Sequence, residues 1–136
     1  MKTLLAVKNI SKTRPIRVLL AEDEHIYQSI IEKYIHDFDM QLTIVDDGQK
    51  CLDTLEKQHY DVILMDIIMP DINGFQATRE LSKDAATKDI PIIVVTTKDQ
   101  ETDRVWGMRQ GASEFLVKPV DEKALANAIR NFIPAA

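Results

Sequence analysis

Five short apolar runs recur along this chain, and each is followed by a stretch with helical spacing. The runs are Ile16–Ala21, Leu42–Val45, Val62–Met65, Ile92–Val95 and Phe115–Val117. They are rich in branched residues and lack polar alternation, the pattern of strands buried on both faces. In the first intervening stretch, Ile26, Ile30, Ile31, Tyr34, Ile35 and Phe38 form one apolar stripe. A second helix is expected over Gly48 to Gln58, with Cys51, Leu52 and Leu55 inward, and a third over Gly74 to Lys83, with Phe75, Thr78 and Leu81 inward. A fourth runs from Gln100 to Gln110, stopped by a left-handed Gly111. The last runs from an N-cap at Asp121 to Ile133, with Leu125, Ala128, Ile129 and Phe132 on one side and Pro134 as terminator.

Strands and helices that alternate one for one demand a parallel sheet with right-handed crossovers. A chain of 136 residues fits one domain. The natural solution is an α/β, flavodoxin-like (βα)5 fold, doubly wound, with strand order 2-1-3-4-5. Its crevice opens at the carboxyl edge between the first and third strands, where the winding reverses.

The sequence brings reactive side chains to that edge. Glu22 and Asp23 follow the first strand, Asp66 the third, Thr96 and Thr97 the fourth, and Lys118-Pro119 the fifth. Asp66 also precedes a turn rich in Pro, Asn and Gly, from Ile67 to Gly74. An ionised carboxylate there is a nucleophile if it is given an electrophile and a metal. Three converging carboxylates repel one another unless a cation joins them. Mg2+ suits such a set, because it prefers oxygen ligands, keeps several waters and binds phosphate. Asp23 and Asp66 could supply the carboxylates, Glu22 could hold a coordinated water, and the carbonyl of Ile68 could complete the protein's share. An acidic pair after a strand is by itself ordinary, since helix N-termini favour acids. Its convergence with Asp66 is what argues for a metal.

Lys118 taken alone is a solvated charge. At this edge it could reach a phosphoryl oxygen as a point charge, and its bond to Pro119 is open to the cis form. The Thr96 hydroxyl could donate to a second phosphoryl oxygen, or it could cap the next helix.

This combination, Glu22-Asp23, Asp66 with Met69-Pro70 and Gly74, Thr96, and Lys118-Pro119, resembles the receiver domain of two-component response regulators, the CheY-like family. The resemblance spans roughly residues 15 to 134. The segments Gly74-Phe75-Gln76-Ala77-Thr78-Arg79 and Thr96 to Asp103 resemble PilH-type regulators of twitching motility most closely. The resemblance implies that Asp66 is the phosphoacceptor, taking its phosphoryl group from a histidine kinase. It implies Mg2+ on Asp23 and Asp66, with Glu22 acting through water and the Ile68 backbone carbonyl as a ligand. It places Thr96, Lys118 and the backbone amides of Ile67 and Thr97 on the phosphoryl oxygens. Thr96 and Phe115 become the switch, with the Phe115 ring turning inward on phosphorylation. The output face, made by the fourth helix, fifth strand and fifth helix, carries Arg104, Trp106 and Val117 and binds a downstream protein.

Three departures from the family pattern bear on phosphoryl lifetime. Thr97 stands where alanine is frequent, Ile68 where polar residues are common, and Lys98 is cationic. These positions face the attacking water, so self-dephosphorylation is expected to be slow.

The remaining features exclude other classes. A net charge of −5 with no long basic run argues against nucleic-acid binding. The single cysteine, Cys51, cannot form an internal disulfide and reads as a small buried hydrophobe, which suits the cytoplasm. His25, His36 and His59 show no metal spacing. Leu4 to Val7 is shorter than the ~7–15 residues of an export core, and no run approaches the ~18 apolar residues of a membrane span. Residues 1–14 read as a leader of unknown role and 15–134 as a receiver with no output domain, a monomer or weak homodimer. An aspartyl phosphatase of the haloacid-dehalogenase type needs an acid two residues after the nucleophile, and that position is Ile68. The surviving alternatives are a phosphate sink or a receiver-like interaction module that is never phosphorylated.

Overall fold

The computed structural model describes residues 14–133. The expected leader, apart from Arg14, and the terminator Pro134 lie outside them. The elements alternate throughout: β1 (Arg17–Ala21), α1 (His25–Asp37), β2 (Gln41–Val45), α2 (Gly48–Lys57), β3 (Val62–Met65), α3 (Gly74–Lys83), β4 (Ile92–Thr96), α4 (Glu101–Gln110), β5 (Glu114–Val117) and α5 (Glu122–Phe132). All strand pairings are parallel, in the order β2-β1-β3-β4-β5. The flavodoxin-like topology expected from the alternation is therefore the observed one.

The helices cover both faces because successive strand residues point to opposite sides. Val18 and Leu20 of β1 join Val62, Leu64, Ile93 and Val95 under α1 and α5, with Ile31, Ile35, Leu125 and Ile129. Leu19 and Ala21 point the other way, to Cys51 and Leu55 of α2 and to Ala77 and Leu81 of α3. Burial pushes the Cys51 thiol up to about 12, consistent with an inert packing residue. A smaller cluster of Ile67, Val94, Ala112 and Phe115 packs with Phe75.

Caps sharpen the helix ends. The Asp47, Asn73 and Asp121 side chains accept from the backbone amides of Lys50, Gln76 and Ala124, satisfying donors that have no partner within the helix. Gly111 ends α4 at φ 116°, the left-handed stop its sequence position suggested.

Three packing expectations need correction. The edge strands are not buried on both faces: Leu42 to Val45 are only partly buried, and Val117 is 41% exposed. Each edge strand lacks a neighbour on one side. Ile26 does not join the α1 stripe. It sits in the first turn, beyond the end of β1, and is 72% exposed. Phe132, in the last turn of α5, is likewise exposed. Periodicity marks a face but not how far along the helix that face is covered.

Candidate functional site

The site is assembled by ladder hydrogen bonds that run one residue beyond the strands. The Glu22 amide donates to the Val45 carbonyl at 2.9 Å, and the Asp66 amide to the Ala21 carbonyl at 3.0 Å. The Lys118 amide donates to the Thr96 carbonyl at 2.8 Å. These bonds hold Glu22, Asp66 and Lys118 at the carboxyl edge, beside the point where the sheet reverses its winding. The Lys118–Pro119 peptide is cis.

Lys118 lies between the two buried carboxylates. Its ammonium donates to Glu22 Oε1 at 2.5 Å and to Asp66 Oδ2 at 3.2 Å. The three side chains are 3%, 2% and 6% exposed, respectively, so Lys118 is not the solvated charge it would be in isolation. Burial works against the ammonium, but the hydrogen bond to Glu22 and the charge of Asp66 outweigh it and hold its pKa above the ordinary lysine value. Burial pushes the Glu22 carboxyl up to about 7, with the hydrogen bond from Lys118 opposing and the charge of Asp66 adding to the rise. Removing Lys118 alone would leave buried charge uncompensated, at a cost of about 3–5 kcal/mol.

Backbone amides complete the pockets of both carboxylates. Ile68 N donates to Asp66 Oδ1 at 3.2 Å, and Glu24 N to Glu22 Oε2 at 3.1 Å. The Ile68 amide is a contact that sequence reasoning missed, because that reading assigned Ile68 only its carbonyl. Thr96 is fully buried at the end of β4, and its hydroxyl oxygen accepts from Lys98 N at 3.4 Å. Thr97 and Ile68 are exposed at the rim.

Tyr27 also went unseen. Its ring centroid lies 4.0 Å from Lys118 Nζ. The available signal was its place in the first turn of α1, the helix that follows the Glu22-Asp23 pair.

Among the described residues, Glu22, Asp23 and Asp66 bring carboxylate oxygens within 4.8 Å of one another. Asp23 is exposed, whereas Glu22 and Asp66 are buried. This all-oxygen donor set with one open side fits a hard divalent cation that retains waters.

Away from the crevice, Phe115 is 5% exposed and packs beside Gly107, where an added Cβ would lie 3.1 Å from the ring. The ring expected to turn inward on phosphorylation is already inside in this structure. Arg104, Trp106 and Val117 are exposed on α4 and β5, and Arg104 donates to the Phe115 carbonyl at 3.4 Å. Among the described residues, no helix is long and apolar enough to cross a membrane.

A model of the response regulator receiver domain matches residues 18–130. The chain belongs to that family. This receiver is 48% identical over 117 residues to Protein PilH of Pseudomonas aeruginosa, an alignment covering 83% of this chain and 93% of PilH. The receiver domain of a sensor histidine kinase from the same species, with a magnesium ion coordinated in its active site cleft, matches with a TM-score of 0.83. That match has 30% identity and covers 89% of this chain and 99% of the other. Chemotaxis response regulator CheY4 of Vibrio cholerae, at 24% identity and a TM-score of 0.81, covers 88% of this chain and 99% of its own, and shows the shared fold.

Proposed function

We propose that this receiver accepts a phosphoryl group on Asp66 from the phosphohistidine of a histidine kinase, with Mg2+ required. The observation that carries the reading is the Lys118 ammonium held 3.2 Å from Asp66 Oδ2, beside a cluster of three carboxylates. An Asp66 oxygen attacks phosphorus as the phosphorus–nitrogen bond breaks, and that bond's electron pair stays on the imidazole. Charge spreads over the phosphoryl oxygens in a loose transition state, so the protein's task is positioning and neutralisation. Lys118 supplies a buried positive charge, Thr96 a hydroxyl donor, and the amides of Ile67 and Thr97 further donors. Bound Mg2+, held by Asp23, Asp66, the Ile68 carbonyl and Glu22 through water, would supply further neutralisation. The resident cluster fits that ion, and the magnesium-bearing receiver similar to this chain supports the same reading.

The output follows from charge. A phosphorylated Asp66 carries about two negative charges and strong acceptor oxygens. Thr96 is drawn toward it, and the shift biases the face formed by α4, β5 and α5, where Arg104, Trp106 and Val117 meet a downstream protein. The similarity to PilH supports a role in chemosensory control of type IV pili or motility.

Incubation with acetyl phosphate and Mg2+, followed by intact mass, tests the reading. A gain of one phosphoryl group, absent in Asp66→Asn, is expected. No gain would leave the phosphorylation-independent interaction module, and turnover of a phosphate ester would point to an enzyme.

A further inference from the structure

Lys118 has three N–H donors, and two of them reach carboxylate oxygens. The side chain is 3% exposed, so solvent does not serve the third. The ring of Tyr27 also lies close, its centroid 4.0 Å from Nζ. An ammonium over an aromatic face is attracted by the ring's quadrupole, and the attraction grows when the cation is desolvated.

We propose that Tyr27 is the positioning residue for Lys118, its ring face acting as the third partner of the ammonium while the other two are exchanged. The proposal rests on the phosphoryl-acceptor reading. As phosphorus bonds to Asp66, the carboxylate loses its charge, and the negative charge beside Lys118 becomes that of the incoming phosphoryl oxygens. Lys118 must follow that charge, so its bond to Asp66 has to loosen during the reaction. A carboxylate in place of Tyr27 would pin the ammonium where it started. An aliphatic residue would leave a buried donor without a partner, which is costly. A ring face is non-directional, so it keeps the cation desolvated and in place while the hydrogen bonds are reassigned. Only an interaction stronger in the transition state than in the ground state speeds the step, and the ring's hold on the ammonium is the one that can grow as its bond to Asp66 loosens.

The test compares wild type, Tyr27→Phe and Tyr27→Leu in two measurements. One is the rate of phosphorylation by acetyl phosphate at fixed Mg2+. The other is the NMR shift of the Lys118 ε-methylene protons in metal-free protein, which an overlying ring shields. Tyr27→Phe should keep both the rate and the shielding. Tyr27→Leu should lose the shielding and slow phosphorylation by about fivefold, with Mg2+ affinity unchanged. A wild-type rate in Tyr27→Leu, an equal fall in both variants, or weakened Mg2+ binding would overturn the proposal. Should Tyr27→Leu fail to fold, a stepwise fluorinated phenylalanine series at position 27 decides. It preserves shape while draining the quadrupole, so a graded fall in rate supports the proposal and a flat series overturns it. Failure of wild type to take up any phosphoryl group would sink both readings, whereas uptake with a flat series sinks this one alone.

Discussion

A Cβ placed on Gly74 would lie 2.1 Å from the carbonyl oxygen of Asp66. The start of α3 is thus pressed against the backbone of the acceptor residue, and the Gly74 amide donates to the Ile67 carbonyl at 2.9 Å. Both sides of the contact are backbone, so neither yields cheaply. Gly74→Ala should cost about 2–3 kcal/mol of stability and slow phosphorylation of Asp66. Urea denaturation beside an acetyl phosphate time course checks this, and an unchanged midpoint would show that α3 can move away freely.

Asp23 should have opposite effects with and without metal. Its carboxylate adds to the repulsion of a cluster whose oxygens lie within 4.8 Å of one another. In EDTA, Asp23→Asn should therefore be at least as stable as wild type. In saturating Mg2+ the order should reverse, because binding at a hundredfold over Kd stabilises the wild type by about 2.7 kcal/mol. Thermal melts in the two buffers give the comparison, and curves that keep the same order would remove Asp23 from the metal site.

Ile68 bears on how long the phosphoryl group survives. It is 51% exposed beside Asp66, with its amide on Asp66 Oδ1. An apolar side chain there cannot hydrogen-bond an incoming water. Ile68→Asn should speed loss of the phosphoryl group in a purified-protein decay assay. Identical decay in the two proteins would show that the side chain at position 68 does not govern access of the attacking water.

Asp61 supplies a pH dependence away from the crevice. Arg14 donates to both of its oxygens at 2.9 Å, and Arg17 N donates at 2.8 Å. The Arg14 guanidinium holds the Asp61 carboxyl below the usual aspartate range. The folded state therefore releases this proton more readily than the unfolded chain. Its stabilisation is complete above the ordinary aspartate value of about 4 and is lost as pH falls through the lower folded value. Asp61→Asn should cost about 1 kcal/mol at neutral pH, and the two proteins should converge in acid. A difference that persists in acid would mean the Asp61 charge is not its source.

The architecture was readable because its signals are local. The bounds of Val62–Met65 and Gly74–Lys83 coincide with the expected ones, and the other elements differ only at their ends. Strand type, helical spacing and caps such as Asn73 are written within a few residues of where they act. The chemistry at the strand ends was legible for the same reason, since one alternation rule places Glu22, Asp66, Thr96 and Lys118 at the same edge.

Sequence alone determined the order of elements and which strand-end residues stand at the crevice. Tertiary structure decided how they meet. Lys118 is 96 residues from Glu22 and 52 from Asp66, yet all three share one buried network. Its change from solvated charge to enclosed ammonium depends on what covers it, and so does the Tyr27 ring lying over it. The same holds for Ile26, which has the right spacing for the core but stands 72% exposed. Spacing tells which way a side chain faces. Burial, partner and charge state depend on residues distant in the chain, because they arise only when the sheet and helices close around the site.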